Sequence, residues 1–171
     1  MNDATAFDLD EVDLEILRLL QADGRATHAA IGKVVGLTGS SVYSRVRRLE
    51  RVGVIRGYTT LIDPGALGQS LVAYMRVGTH ADADEQGPFE EFVRGEPQVL
   101  ECHDVDGEDS YMVKIRTATP QTLRSLLVRI RALPGVTRTV TSIALLTIKE
   151  PAASGHLADP ETPRGINAEG Y

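Results

Sequence analysis

The sequence predicts an α+β protein, with an N-terminal winged-type helix-turn-helix domain followed by a ferredoxin-like βαββαβ domain. Apolar residues recur at helical spacing in the first third of the chain, and strand-type and helix-type patterns alternate in the rest. The chain has 171 residues, enough for two domains of roughly 60 to 80 residues each. The expected boundaries are 1–60 for the helix-turn-helix domain, 61–68 for a linker, 69–150 for the second domain and 151–171 for a flexible tail.

Charge is distributed unevenly between the two halves. The net charge is −6, but residues 24–60 hold seven basic residues and one acidic residue. Residues 61–171 hold ten basic and sixteen acidic residues. Because phosphate binding depends on Lys and Arg, the first half is expected to contact double-stranded DNA and the second half to face another partner.

Two short helices are predicted before residue 37. Asp10 is a typical N-cap, and apolar residues recur at helical spacing until Gly24 offers a stop. Thr27 opens the second helix, and Gly36 can take the left-handed conformation that ends it.

The third helix is predicted from Thr38 to about Val52, with Gly53 ending it. A short helix, a tight glycine turn and a longer basic helix are typical of a helix-turn-helix, whose last helix enters the major groove. Hydroxyl residues lie opposite the apolar stripe on its first turns, and arginines follow them. The predicted DNA-binding residues are Arg25, Thr38, Ser40, Ser41, Tyr43, Ser44, Arg45, Arg47, Arg48 and Arg51.

Within this set, the small and aromatic residues Ser40, Ser41, Tyr43 and Ser44 are the candidates for reading base edges, and the arginines for reaching phosphates. Arg45 lies beside the apolar stripe, which leaves two interpretations open: a phosphate contact, or an ion pair with the first helix. A solvated arginine face is the alternative for the whole helix. Helix spacing, turn glycine and local positive charge together favour DNA.

The chain after Gly53 predicts a short strand and a linker, punctuated by Asp63-Pro64-Gly65. The second domain then follows the order strand, helix, strand, strand, helix, strand. This arrangement packs two helices on one sheet face and leaves the other face free for self-association, so a homodimer is expected. The predicted strands are 69–77, 99–106, 111–116 and 136–148, and the helices lie around 89–93 and from 119 to 133.

An ordered set of short motifs runs along both halves. The motifs are Leu9-Asp10 with Asp13 and Ile16-Leu17, Asp23-Gly24-Arg25, Val35-Gly36-Leu37-Thr38, Arg45-Val46-Arg47-Arg48-Leu49-Glu50, Gly53-Val54-Ile55 and Leu133-Pro134-Gly135-Val136. With these motifs, the chain resembles the Lrp/AsnC (leucine-responsive/asparagine-responsive, feast/famine) regulators over about residues 8–150. The resemblance implies a sequence-specific transcriptional regulator that dimerises through its second domain, often forms octamers or other higher oligomers, and binds an amino acid or related effector between dimers.

The loop before the third strand departs from the family pattern, which typically reads Gly-Asp-Tyr-Asp-Tyr. Ser110 stands where an acidic residue would meet an effector's ammonium group, with Asp109 or Glu108 as displaced substitutes. A polar hairpin turn that binds nothing is the alternative. The resemblance implies effector-binding residues at Gly107, Glu108, Asp109, Ser110, Tyr111, Thr139, Thr141 and Ser142.

No catalytic pair, metal-ligand spacing or phosphate loop stands out, and the four histidines are scattered. We therefore expect no cofactor, no metal, no enzymatic activity, no membrane span, and a cytoplasmic location on the nucleoid. Two alternatives stay open. One is a tetrapyrrole-modifying enzyme similar to the siroheme decarboxylases, which share the architecture, and the other is an architectural protein that compacts DNA with little sequence specificity.

Overall fold

The computed structural model describes residues 8–80 and 83–150, without the side chains of 83–86. The predicted tail, 151–171, lies outside the described residues. Within them the chain forms two compact units, one ending at Thr60 and the other spanning Leu61–Glu150. No helix in these described parts is long and apolar enough to cross a bilayer.

Each helix of the first unit begins at the N-cap that the sequence predicts. The side chains of Asp10, Thr27 and Thr38 each accept a hydrogen bond from the backbone N–H three residues later, which satisfies a donor left free at the helix start. Asp13 completes a capping box by accepting from the backbone N–H of Asp10. The helices are α1 (Glu11–Ala22), α2 (His28–Val35) and α3 (Gly39–Arg51).

The turn between α2 and α3 depends on two glycines. Gly36 has a φ of 71°, in the left-handed region that a residue without a Cβ adopts at little cost. At Gly32, an added Cβ would lie 2.5 Å from the carbonyl oxygen of Leu37, so any side chain there would push the turn away from α2. A small core of Ile16, Ile31, Val42 and Val46 then holds the three helices together.

Helix α1 ends at Ala22, with Asp23 as an extended C-cap, directly before the predicted stop at Gly24. One prediction for this unit was wrong. The strand predicted after Gly53 does not form in the described chain. A strand needs a neighbour for its backbone hydrogen bonds, and the described part of the first unit has none.

The second unit has the predicted order of elements. The elements are β1 (Leu71–Thr79), α4 (Ala83–Gly95), β2 (Val99–Asp104), β3 (Tyr111–Thr117), α5 (Pro120–Arg131) and β4 (Val136–Ile143). A four-stranded antiparallel sheet in the order β2-β3-β1-β4 places the first and third strands at its centre. The register of β1 with β4 shifts at Gly78/Thr79.

The two sheet faces differ in character. Alternate residues of β1 and β3 join Phe89 of α4 and Leu126 of α5 in one buried core, while Tyr74 and Met112 on the opposite face are 47% and 44% exposed. The prediction that the last strand reaches residue 148 was wrong. Because β1 begins at Leu71, the chain beyond Ala144 has no strand opposite it.

Candidate functional sites

The exposed face of α3 carries six of the ten residues predicted to contact DNA. The opposite side of the helix is buried through Val42, Val46 and Leu49, so the amphipathic pattern fixes which side faces outward. We call the outward set the exposed α3 face. Its members are Ser40, Ser41, Tyr43, Ser44, Arg47 and Arg51.

Hydroxyl groups are concentrated at the start of this face. The Oγ1 of Thr38 lies 3.0 Å from the Oγ of Ser40 and 2.9 Å from that of Ser41. One turn on, the Oγ of Ser44 donates to the carbonyl oxygen of Ser40 over 3.1 Å. A hydroxyl both donates and accepts, so these side chains keep capacity to pair with a base edge or a phosphate. Thr38 itself is occupied as the N-cap of α3.

Tyr43 is held by a neighbour that the sequence analysis missed. Its ring packs edge-on against His28, the first residue of α2, with centroids 5.5 Å apart and an interplanar angle of 64°. Half of Tyr43 stays exposed. The contact joins residues fifteen apart in the chain, and only the crossing of α2 and α3 brings them together. His28 therefore belongs with the residues that border the exposed α3 face.

Arg45 and Arg48 are separated from that face by their ion pairs with α1. The Nη1 of Arg45 donates to Asp10 over 2.6 Å and to Asp13 over 2.9 Å, and Arg48 donates to the second oxygen of Asp13. The carboxylate of Asp13 is fully buried. The Arg45 guanidinium lowers the pKa of Asp10. Of the two interpretations left open for Arg45, the structure has the ion pair, and Arg48 shares it.

Three of the five arginines predicted to contact DNA remain available at the surface. Arg47 lies beside Glu50, with 3.0 Å between nitrogen and oxygen, yet its side chain is 65% exposed. Arg51 is exposed on the last turn of α3, and Arg25 is exposed just before α2, where its backbone N–H donates to Asp23. Exposed guanidinium groups such as these are suited to contact phosphates.

The loop before β3 is tied to the end of β1. Gly107 has a φ of 133°, which a residue with a side chain rarely adopts. The backbone N–H of Ser110 donates to the carbonyl oxygen of Val77, and the Ser110 hydroxyl accepts from both the backbone N–H and the hydroxyl of Thr79, at 3.1 and 2.9 Å. The hydroxyl that replaces the customary acidic group is thus already engaged.

Asp109 is buried and paired with two arginines. Its Oδ1 accepts from Arg138 of β4 over 2.6 Å, and its Oδ2 lies 3.6 Å from Arg76 of β1. Glu108, 84% exposed, lies 3.7 Å from Arg138. No local sequence pattern marks either arginine as a partner of Asp109, because both come from strands far from the loop in the chain. The buried acid of this loop is therefore neutralised from within the protein.

The structure does not group Tyr111 with the loop that precedes it. Tyr111 is buried in the core, 4.7 Å from the Phe89 ring, and its hydroxyl donates to Glu90 over 3.0 Å. Burial and the Glu90 carboxylate raise the pKa of Tyr111 to about 12. The alternation of β3 turns this residue towards the helices, so it supports the fold.

The three predicted hydroxyls on β4 do not converge either. Thr139 and Thr141 pair with Val77 and Met75 on the helix-covered face, whereas Ser142 lies on the opposite face. The Thr141 Oγ1 is buried and has no hydrogen-bond partner among the described residues.

A cavity of about 320 Å³ lies along β4 beside the loop. It is lined by Arg131, the last residue of α5, and by residues 136–139. The Nε of Arg131 donates to the Oγ1 of Thr139 over 2.8 Å, and Arg138 joins the cavity to the loop through Asp109. We call it the arginine cavity. Of its members, only Thr139 was expected.

Comparison with known proteins covers both units. Residues 9–50 match the AsnC-type helix-turn-helix domain, and residues 72–153 match the Lrp/AsnC ligand binding domain. The HTH-type transcriptional regulator FL11 of Pyrococcus horikoshii is 38% identical over 145 residues, which are 83% of this chain and 93% of the relative. The leucine-responsive regulatory protein of Escherichia coli K12 is 37% identical over 147 residues, 84% of this chain and 88% of the relative. A solved structure, a transcriptional regulator from Neisseria meningitidis in complex with L-Met, has a TM-score of 0.79 and 29% identity, covering 83% of this chain and 93% of its own.

Proposed function

Since the chain belongs to the Lrp/AsnC family of DNA-binding transcriptional regulators with an amino-acid-responsive ligand-binding domain, we propose that its exposed α3 face reads one half-site of an operator. The single observation that supports this reading is the separation of the two sides of α3. One side is buried in the core, while the other presents hydroxyl groups and exposed guanidinium groups.

In this proposal, the length of each side chain determines whether it contacts a base edge or the phosphate backbone. Ser40, Ser41, Tyr43 and Ser44 contact base edges, because short side chains let the helix approach the groove floor. The arginines that contact the phosphate backbone are Arg25, Arg47 and Arg51. Arg45 and Arg48, predicted as direct contacts, serve first to hold α3 against α1, with any phosphate contact secondary.

A homodimer formed through the second unit would present two α3 helices. The apolar residues on its open sheet face, Tyr74 and Met112, support self-association there. A symmetric pair reads a roughly palindromic operator with half-sites about one helical turn apart. Octamers or other higher oligomers and a place on the nucleoid are part of the same proposal.

The effector, an amino acid or a related small molecule, binds in this proposal at the loop of residues 107–110 and along β4. The L-Met complex of the Neisseria regulator supports this class of ligand. Its binding changes either the DNA affinity or the oligomeric state. Neither an enzymatic activity nor a cofactor is part of the proposal.

Footprinting with genome-wide mapping of binding sites tests the regulator. We expect discrete protected sites, each with two related half-sites, and a change in protection when the effector is added. Even protection along any DNA fragment would instead support the architectural alternative. A Soret absorbance band in the purified protein would support the tetrapyrrole alternative.

A further inference from the structure

Among the residues that the structure describes, one arginine of the arginine cavity has no carboxylate partner. Arg131 uses its Nε on Thr139, which leaves its two terminal nitrogens directed to no carboxylate in the described part of the chain. The other arginine in the lining, Arg138, is balanced by Asp109 at 2.6 Å. In the ranges 8–80 and 87–150, whose side chains are described, no acidic residue lines the cavity. The cavity therefore matches a ligand of net negative charge.

The loop next to the cavity offers little to an ammonium group. Asp109 is buried between Arg138 and Arg76, so its charge is already used. Ser110 is held by two hydrogen bonds from Thr79. Glu108 is the remaining acid, and it is largely exposed to solvent beside Arg138. The ammonium group of a neutral amino acid would approach two arginines here. The carboxylate of Glu108 would be its only acidic partner in the loop, and solvent screens that charge.

The strand that lines the cavity has further donors for an anion. β4 is an edge strand in the described sheet, so every second backbone N–H points away from β1. A planar guanidinium together with such N–H groups is suited to a carboxylate, which accepts two parallel hydrogen bonds from arginine. The cavity volume, about 320 Å³, lies at the small end of the range for small-molecule sites.

We infer that the effector of this chain is a small dicarboxylate, either an acidic amino acid or a 2-oxo acid with two carboxylates, held at the arginine cavity by Arg131. This inference rests on the proposed effector response and narrows it to a ligand class. One carboxylate pairs with the terminal nitrogens of Arg131, and the second lies along the β4 edge near Arg138. Neutral and basic amino acids are discriminated against by charge.

Isothermal titration calorimetry on the full-length protein tests the charge preference with matched ligands. L-Glutamate and L-glutamine have nearly the same shape and differ by one negative charge, and 2-oxoglutarate lacks the ammonium group. We expect L-glutamate or 2-oxoglutarate to bind at least about tenfold more tightly than L-glutamine, L-leucine, L-methionine or L-lysine. Equal or tighter binding of any of the last four would overturn the inference, as would no binding of either anion at about 10 mM.

Single substitutions test whether Arg131 causes the preference for an anionic ligand. Arg131→Gln is expected to reduce the preference for the anion to within about twofold, and Arg131→Lys to retain part of it. Arg124→Gln removes an exposed arginine from the same helix and is expected to leave it unchanged. Circular dichroism melting checks that each variant is folded. An undiminished preference in folded Arg131→Gln would place the ligand elsewhere.

DNA binding measured in parallel separates this inference from the proposed function. A response of DNA binding to a neutral amino acid would leave the regulator intact and reject the dicarboxylate. Loss of site-specific DNA binding in every condition would count against the proposed function, whatever the calorimetry shows.

Discussion

Arg45 on α3 donates through its Nη1 to the Oδ1 of Asp13 on α1, over 2.9 Å, although the two residues are 32 positions apart. The same carboxylate is fully buried and also accepts from Arg48. One acid on α1 therefore holds α3 in its orientation against α1, and this orientation determines where the exposed α3 face points.

Replacing this acid should destabilise the first unit. Asp13→Asn keeps the shape but leaves Arg48 without its charged acceptor and Arg45 with Asp10 alone, and we expect the free energy of unfolding to fall by about 2 kcal/mol. Urea unfolding followed by circular dichroism measures the change. Glu15→Gln, which removes the half-exposed partner of Arg18, is the control and should cost under about 0.5 kcal/mol. Similar losses of unfolding free energy in both variants would show that the ion pairs of Asp13 stabilise the unit no more than an exposed ion pair does.

Low pH should weaken the contact between α1 and α3 by protonating Asp10. Its pKa is lowered by Arg45 from an ordinary value of 3.8, so its contribution to stability is complete above that value and is lost as the pH falls through the lowered pKa. We expect Asp10→Asn to reduce the dependence of the melting temperature on pH below about 4. Glu11→Gln, a neighbouring exposed acid, serves as the comparison. If the melting temperatures of wild type and Asp10→Asn fall identically at low pH, Asp10 does not contribute to the acid dependence of stability.

Phosphate and base contacts should be separable on the exposed α3 face. Arg47→Ala should weaken binding to all DNA sequences and lower the salt dependence by about one charge, whereas Ser44→Ala should change which sequence is preferred. Fluorescence anisotropy at several salt concentrations, with a panel of duplexes, measures both. Arg18→Ala on α1 controls for loss of an arginine away from the face. An unchanged salt slope in Arg47→Ala would exclude Arg47 as a phosphate contact.

The loop before β3 should tolerate no side chain at Gly107. Its φ of 133° is costly for any other residue, so Gly107→Asp should reshape the loop and abolish the rise in melting temperature produced by the effector, while dimers persist. Thermal shift and light scattering test the two parts. Gly95→Asp, at a position with open space and an ordinary φ, should keep the full shift. If Gly107→Asp keeps it too, the pocket lies elsewhere.

Tyr111 should matter for folding and not for the ligand. Tyr111→Phe removes the hydrogen bond to Glu90 and keeps the ring against Phe89, so we expect a loss of about 1 kcal/mol in unfolding free energy and an unchanged effector affinity. Unfolding and calorimetry on the same preparation measure the two quantities. A large loss of affinity would return Tyr111 to the ligand site.

Features encoded locally were predictable from the sequence. Asp10, Thr27 and Thr38 cap their helices because a cap depends on a few neighbouring residues, and Gly36 ends α2 for the same reason. The early end of the last strand was not predictable in this way, because it depends on where a distant strand, β1, begins.

The same difference between locally encoded features and long-range contacts applies to the candidate sites. The exposed α3 face follows from helical periodicity, so its members could be named in advance. The pairing of Asp109 with Arg76 and Arg138 joins residues 33 and 29 positions apart, and the interaction of Arg45 with α1 spans 32 or more. A single sequence contains no local pattern for such contacts, which is why the two interpretations of Arg45 stayed open until the fold decided between them.

The two sides of α3 also determine how this regulator could be retargeted. Ser40, Ser44 and Arg47 could be randomised to select new operator preferences with little penalty in folding, because none of them touches the buried core. Exchanges at Arg45 or Arg48 would have to be made together with Asp13. A library built on this chain should therefore vary the outward positions alone, so that its members differ in specificity while sharing one scaffold.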